Sequence, residues 1–174
     1  MKTEKLVITI FAEDRPGIMQ IISDTVLEHG GNWLESSLNR LSGQFAGIVN
    51  IEVAEDQISA LSASFEKLVD DGIKISTFKK LDEPRADEFG ERVELLVEAN
   101  DRPGIVEEIA SALASAGINA EKMETAYQSA SMAGYQLFSA HLTVALPQAV
   151  GVEKLEAVLE QVSDDLMVSI IDAD

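Results

Sequence analysis

The 174-residue sequence contains no cysteine, and its 13 Lys and Arg residues are far outnumbered by 31 Asp and Glu residues. The absence of cysteine excludes disulfides, thiolate metal sites and thiol nucleophiles. The shortage of basic residues leaves a formal net charge of -18 at pH 7. Such a charge repels the phosphates of nucleic acids, which proteins bind through Lys and Arg. The composition therefore predicts no direct binding of nucleic acid.

Long apolar runs are also missing. No run approaches the ~20 residues that a membrane-spanning helix needs. The first apolar run, residues 6–11, is short and resembles a strand, and no small-residue cleavage site follows it, as one would after a signal peptide. With 46% hydrophobic and 25% charged residues, the composition is that of an ordinary globular protein. We therefore expect a cytoplasmic protein that does not interact with a membrane.

The sequence does contain an internal repeat. The motif Asp-Arg-Pro-Gly-Ile occurs at residues 14–18 and again at residues 101–105, which is a spacing of 87 residues. The same spacing pairs Asn32 with Asn119 and matches the apolar positions that flank the motif. Two copies of one domain explain these matches.

The composition between the copies predicts where one domain ends and the next begins. A charged stretch without an apolar period, residues 81–90, is predicted to be a linker. We therefore expect a first domain over residues 1–80 and a second over residues 91–174. The second copy has about six extra residues within the segment 127–135, and the sequence leaves their role open.

The hydrophobic period predicts the element order βαββαβ in each copy. In the first copy it predicts strands over residues 6–11, 32–41, 45–53 and 73–78, a helix from the motif to residues 29–31, and a helix over 58–68. In the second copy it predicts strands over residues 91–99, 119–127, 136–145 and 166–172, and helices over 104–116 and 150–163. Right-handed crossovers place both helices on the same side of the sheet. The predicted fold class is α+β, with two ferredoxin-like domains that each pack two helices on one face of a four-stranded antiparallel sheet.

The first loop of each copy is the candidate ligand site. Pro16 is predicted at the helix start, where its missing N–H costs nothing, and Gly17 has no Cβ to keep a ligand away. The free N–H groups of the first helical turn suit a carboxylate. Asp14 either caps this turn or accepts hydrogen bonds from a ligand ammonium, and Asn32 offers an amide. Together these groups suit a small zwitterion, although the same motif is also ordinary strand-to-helix turn chemistry.

The element order, with Asp-Arg-Pro-Gly-Ile after the first strand and Gly-x-Asn at the second, resembles the ACT domain, an amino-acid-binding regulatory module of many metabolic enzymes. Two such domains in tandem resemble the glycine cleavage system transcriptional repressor family. ACT domains hold effectors at the interface between two domains, through the first loop and the start of the second strand. The resemblance therefore implies these ligand-binding residues: Asp14, Arg15, Gly17, Ile18 and Asn32 in the first copy, and Asp101, Arg102, Gly104, Ile105 and Asn119 in the second.

The resemblance implies a regulatory protein that is not an enzyme and has no catalytic residues, metal or cofactor. It would bind a small amino acid, with glycine as the first candidate, and control transcription of a metabolic operon through a DNA-binding regulator protein. One alternative is a stand-alone interaction module that regulates an enzyme of amino-acid metabolism, and another is a structural module without ligand pockets. The oligomeric state stays open, and a homodimer is one option.

The remote enzyme alternative is an acyl-phosphate hydrolase. Such hydrolases share the βαββαβ fold and place an arginine in the first loop and an asparagine on the second strand, much like Arg15 and Asn32. Their phosphate-binding loop is richer in glycine than residues 13–17, and Asp14 would repel the phosphate of the substrate. The sequence therefore favours a binding protein over this enzyme.

Overall fold

The computed structural model describes residues 2–79, 89–129 and 136–173. The chain divides into two compact units, Met1–Asp82 and Glu83–Asp174. Most of the predicted linker, and the extra segment from residue 130 to residue 135, lie outside the described residues. The last two residues of the predicted linker belong to a strand that begins at Phe89.

The first unit has the element order βαββαβ. Its elements are β1 (Thr3–Glu13), α1 (Ile18–Glu28), β2 (Asn32–Leu41), β3 (Gln44–Ala54), α2 (Ile58–Lys67) and β4 (Ile73–Lys79). Short 3₁₀ segments precede and follow α2. The four strands pair antiparallel in the order β2-β3-β1-β4.

The second unit repeats this arrangement. Its elements are β5 (Phe89–Asn100), α3 (Ile105–Ser115), β6 (Asn119–Ser129), β7 (Gln136–Pro147), α4 (Val152–Glu160) and β8 (Met167–Ala173). The strand order is β6-β7-β5-β8, again antiparallel. The predicted fold class is confirmed in both units.

The element ends differ from the predicted ones where the apolar pattern does not define them. Strand β1 is longer than predicted, because it pairs with β3 along its whole length, from Thr3 opposite Ala54 to Glu13 opposite Gln44. Helix α4 is shorter than the predicted range 150–163. The apolar period continues past the end of this helix, because the turn that follows it also packs against the core.

Each unit has its own hydrophobic core between sheet and helices. In the first unit, alternate residues of β1, such as Ile8 and Ile10, are buried against Ile22 of α1 and Phe65 of α2. The opposite face of each sheet points away from the helices. Among the described residues, no helix is long and apolar enough to span a membrane.

Candidate functional site

The loop of the first unit lies at the end of the sheet where β2 turns into β3. The backbone N–H of Asp14 donates to the carbonyl of Gly43 at the hairpin tip, at 2.9 Å. The Asp14 carboxylate forms an ion pair with Arg40 of β2, with 2.6 Å between Oδ2 and Nε. Asp14 therefore does not cap α1, which was one of its two predicted roles, and no other side chain that the structure describes caps this helix.

Helix α1 begins at Ile18, and Gly17 is its N-cap residue with φ 94°. Glycine adopts this left-handed conformation readily, whereas a residue with a Cβ is strained by it. Pro16 consequently precedes the helix by two residues and does not occupy its first position, so that prediction is wrong. The space where a Gly17 Cβ would point is open, with no atom within 4 Å. A ligand can therefore approach the backbone here.

Two further features favour an anion at this loop. The first turn of α1 contains no acidic residue, so no side chain of that turn opposes the positive end of the helix dipole. Arg15 is exposed and donates from Nη2 to the backbone carbonyl of Asp71, at 2.8 Å. Because a carbonyl has no net charge, this hydrogen bond does not neutralise the positive charge of Arg15. The Ile18 side chain is buried in the core, so only its backbone can meet a ligand.

The loop of the second unit has the same backbone. Gly104 is the N-cap residue of α3 with φ 92°, and the N–H of Asp101 donates to the carbonyl of Gln136 at 2.8 Å. The Ile105 side chain is buried, like that of Ile18. The two loops therefore share the geometry that the repeated motif predicts.

The charges of the second loop differ from those of the first. Arg102 binds Glu108 of α3 through two hydrogen bonds, at 2.7 and 2.6 Å. These bonds lower the pKa of Glu108 and raise the pKa of Arg102, so both groups are charged at neutral pH. Glu107 adds a second carboxylate to the first turn of α3. An incoming carboxylate therefore meets an arginine that is already paired and two like charges.

Another carboxylate contributes to the field at this loop. Asp165 accepts a hydrogen bond from the backbone N–H of Asn100, at 3.0 Å, and another from the Ser163 hydroxyl. These bonds lower the pKa of Asp165, and its charge acts on both Arg102 and Glu108. Of the two loops, the first is therefore the better site for an anion.

The structure does not bring Asn32 to the loop of its own unit. Asn32 and Lys5 both lie opposite Glu52 of β3, and Lys5 precedes Glu13, the end of β1, by eight residues. At a rise of about 3.4 Å per residue, this separation is roughly 27 Å. Asn119 is displaced in the same way, because it lies opposite Ala145 and hence level with Arg92 near the start of β5. A small molecule at either loop cannot touch the asparagine of the same unit.

A feature that the sequence did not predict is a groove of about 520 Å³ between α3 and α4. It is lined by Glu107, Glu108, Ser111, Ala112, Ser115, Ala116, Lys154, Val158, Gln161 and Val162. The positions equivalent to Ala112 and Ala116 are Thr25 and His29 in the first unit. In the first unit His29, at the end of α1, connects α1 with α2. Its Nδ1 lies 2.9 Å from the carbonyl oxygen of Thr25 on α1, and its Nε2 lies 3.2 Å from the hydroxyl oxygen of Ser64 on α2. The small side chains of Ala112 and Ala116 at these two positions are the feature of the sequence that could have predicted this groove.

The described residues include no group of three or more His, Asp or Glu side chains placed to hold a metal ion. Each loop presents the backbone N–H groups of a helix start and one arginine, which donates to a carbonyl in the first loop and to a carboxylate in the second.

Comparison with known proteins finds a family match for the first unit. Residues 4–75 match the family model of the ACT domain. The second unit repeats the motif and the ferredoxin-like topology of the first, and the family match lies within the first unit.

Two solved structures are similar over nearly the whole chain. An unknown protein from Galdieria sulphuraria is 28% identical, with a TM-score of 0.78, and the match covers 98% of this chain and 100% of that one. A protein provisionally described as a glycine cleavage system transcriptional repressor has a TM-score of 0.72 at 18% identity, over 100% of this chain and 99% of that one. The second similarity establishes the shared fold. No curated protein sequence is significantly similar to this chain.

Proposed function

We propose that this protein is a non-enzymatic regulator that binds a small amino acid and controls transcription of a metabolic operon through a protein partner. The observation that carries the proposal is the duplicated loop. In both units a left-handed glycine begins a helix that has no side-chain cap, so backbone N–H groups are left for a ligand carboxylate. The fold shared with the protein described as a glycine cleavage repressor supports a regulatory role and makes glycine the first candidate ligand.

In this proposal the loop of the first unit is the principal site. The ligand carboxylate binds the N–H groups of the first turn of α1 and Arg15. The ligand ammonium lies near Asp14, whose side chain is 33% exposed beside Arg40 and can accept further hydrogen bonds. Asn32 has no part in the site of its own unit, because the distance is too great.

The same geometry argues against the acyl-phosphate hydrolase. That activity needs the arginine and the asparagine on one substrate, whereas Arg15 and Asn32 lie at opposite ends of the first sheet. Asp14 adds a negative charge to the loop that would have to receive a phosphate. Acetyl phosphate incubated with the purified protein is expected to hydrolyse no faster than in buffer.

A small amino acid is expected to raise the thermal stability of the protein. At a concentration about 100 times its dissociation constant, a ligand that binds only the folded state adds roughly 2.7 kcal/mol. This corresponds to a rise in Tm of several degrees for a chain of this size. The measurement is a thermal-shift series with the twenty amino acids, and acetate and methylamine serve as controls that carry one charge each. If no amino acid at millimolar concentration moves the transition, the ligand-binding part of the proposal is wrong.

The protein alone is not expected to bind DNA, even if its role is to repress transcription. Neither α1 nor α3 contains a Lys or Arg residue, so neither has the basic side chains that a helix in the major groove needs. Up to Asp82 the chain has 8 basic and 13 acidic residues, a net charge of -5. From Glu83 onward it has 5 basic and 18 acidic residues, a net charge of -13. Regulation would then proceed by contact with a DNA-bound regulator that has a basic surface.

Fluorescence anisotropy with a labelled duplex of the operator region tests this at low salt, where nonspecific binding is strongest. Submicromolar binding by the protein alone would contradict the expectation. A rise in anisotropy that appears only after the regulator protein is added, and that depends on the amino acid, is the expected result.

A further inference from the structure

The outer face of the first sheet contains a cavity of about 360 Å³ that is separate from the loop. Its lining residues are Val7, Glu35, Ser36, Ser37, Ile48 and Asn50. Val7 of β1 and Glu35 of β2 both lie directly opposite Asn50 of β3, so the three form one row across the sheet. We propose that this cavity binds the ammonium group of a small organic amine, whose aliphatic part packs against Val7 and Ile48.

The first observation is a buried acceptor without a partner. Asn50 is 7% exposed, and its Nδ2 donates to Oε1 of Glu35 at 2.8 Å. Because an ionised carboxylate only accepts hydrogen bonds, the amide must present its NH₂ group to Glu35, which fixes its orientation. The Oδ1 atom of Asn50 then remains buried with no hydrogen-bond partner in the described part of the chain. Buried polar atoms in folded proteins are nearly always paired, so this acceptor lacks a donor.

The second observation is that Glu35 forms no ion pair with any described residue, whereas the second unit provides a cation of its own at the same place. The residues at the equivalent positions are Glu94, Lys122, Glu124, His141 and Thr143, and they line a cavity of only about 80 Å³. Lys122 occupies the position of Glu35, since each lies opposite the equivalent residue of the middle strand. Its Nζ is 3.1 Å from Oε2 of Glu124. The first unit therefore has an acceptor-lined cavity where the second has an ammonium group.

The chemistry of the cavity selects the class of ligand. A carboxylate and an amide oxygen accept hydrogen bonds, as an ammonium requires, and the apolar side chains of Val7 and Ile48 suit an alkyl chain. A volume of about 360 Å³ is within the range of small-molecule sites. A free amino acid is disfavoured, because its own carboxylate would be repelled by Glu35. The ligand is thus an amine without a carboxylate, unlike the ligand proposed for the loop.

The test uses the full chain with isotope-labelled methyl and amide groups, titrated with n-butylammonium chloride and followed by NMR. We expect saturable shifts of the Asn50 side-chain amide and of the Val7 and Ile48 methyl groups, with none at residues 14–18. Butanol, which has the same shape without the charge, and sodium chloride are expected to cause no saturable shift at these groups. An absence of saturation at Asn50, an equal response to butanol, or shifts confined to residues 14–18 would overturn the proposal.

Variants separate this cavity from other acidic surface. Glu35→Gln is expected to weaken binding of the amine by about tenfold or more, because it removes a charge-assisted hydrogen bond. Glu35→Lys, which introduces the residue of the second unit, is expected to abolish it. Lys122→Gln is the matched control at the equivalent position and is expected to leave the affinity unchanged. If Glu35→Gln and Lys122→Gln have the same effect, the binding is nonspecific and the proposal is wrong. The amide spectrum of each variant without amine reports whether the fold is retained.

Discussion

Gly47→Ala is expected to lower the free energy of unfolding of the first unit by about 3 kcal/mol. Gly47 lies on β3, on the face that carries the core, opposite Leu38 of β2 and Ile10 of β1. A Cβ at this position would overlap the backbone carbonyl oxygen of Ser37 and lie 2.8 Å from the Cα of Leu38. Both atoms belong to the backbone of β2, so a change of side-chain rotamer cannot relieve the overlap and the strand itself has to move.

The second unit provides the matched control for this substitution. The position equivalent to Gly47 is Ala140, which is fully buried and lies opposite Thr125 of β6 and Val97 of β5. Ala140→Gly removes a methyl group and loosens the strand, and is expected to cost only about 1 kcal/mol. Urea denaturation followed by circular dichroism measures both. If Gly47→Ala costs no more than Ala140→Gly, strand β2 is free to shift and the stated cause is incorrect.

Arg15→Gln is expected to weaken binding of a small amino acid by about ten- to hundredfold, whereas Arg102→Gln is expected to change it little. A hydrogen bond to a charged group contributes about 1.5–3 kcal/mol, and each 1.4 kcal/mol is about a factor of ten in affinity. Arg15 donates to a neutral carbonyl and keeps its charge for a ligand. Arg102 is already paired with Glu108, so its loss removes little from a site that is weak in either case.

Calorimetric titration with glycine is the measurement for this pair of variants, and the thermal transition without ligand is the control for folding. Arg15→Lys keeps the charge without the planar geometry and is expected to lose less affinity than Arg15→Gln. Equal losses from Arg15→Gln and Arg102→Gln would show that both loops bind the ligand alike. In that case the difference in local charge between the two loops does not determine which loop binds the ligand.

The fold could be predicted from the sequence because two independent patterns agree. The alternation of apolar residues in β1 and the helical spacing after the motif each predict an element, and the repeat at 87 residues predicts the same elements a second time. Helix ends were less accurate, as in α4. The apolar period indicates which residues are buried. It does not distinguish the end of a helix from a following turn that also packs on the core.

The candidate site could be predicted only in part. The loops could be placed because a motif with glycine after proline defines a turn, but Asn32 was associated with the loop on the basis of the sequence alone. Helix α1 has 11 residues, and at 1.5 Å per residue it carries the chain back by about 16 Å toward the start of β1. Strand β2 therefore begins at the far end of the sheet. This consequence of the βαβ connection was available before the structure.

The charge environment of each loop could not be predicted from the motif. Asp14 meets Arg40 because the β2–β3 hairpin turns beside the loop, and Arg102 meets Glu108 because the left-handed glycine folds the loop back over the first turn of α3. Both contacts depend on where the backbone turns. Equivalent residues of the two motifs therefore have different partners, although their neighbours within the motif are identical. The repeated motif therefore conceals a difference that only the three-dimensional arrangement reveals.

The bidentate pair between Arg102 and Glu108 has a consequence for how a tandem sensor would respond. Glu108 offers Arg102 the same chemical group that a ligand would bring, so the arginine of the second loop is already paired within its own chain before a ligand binds. Only the first loop would then follow that concentration. In the proposed function such a protein would have one responsive half and one constant half, and its binding curve for the amino acid is expected to be hyperbolic, with a single midpoint and a stoichiometry of one.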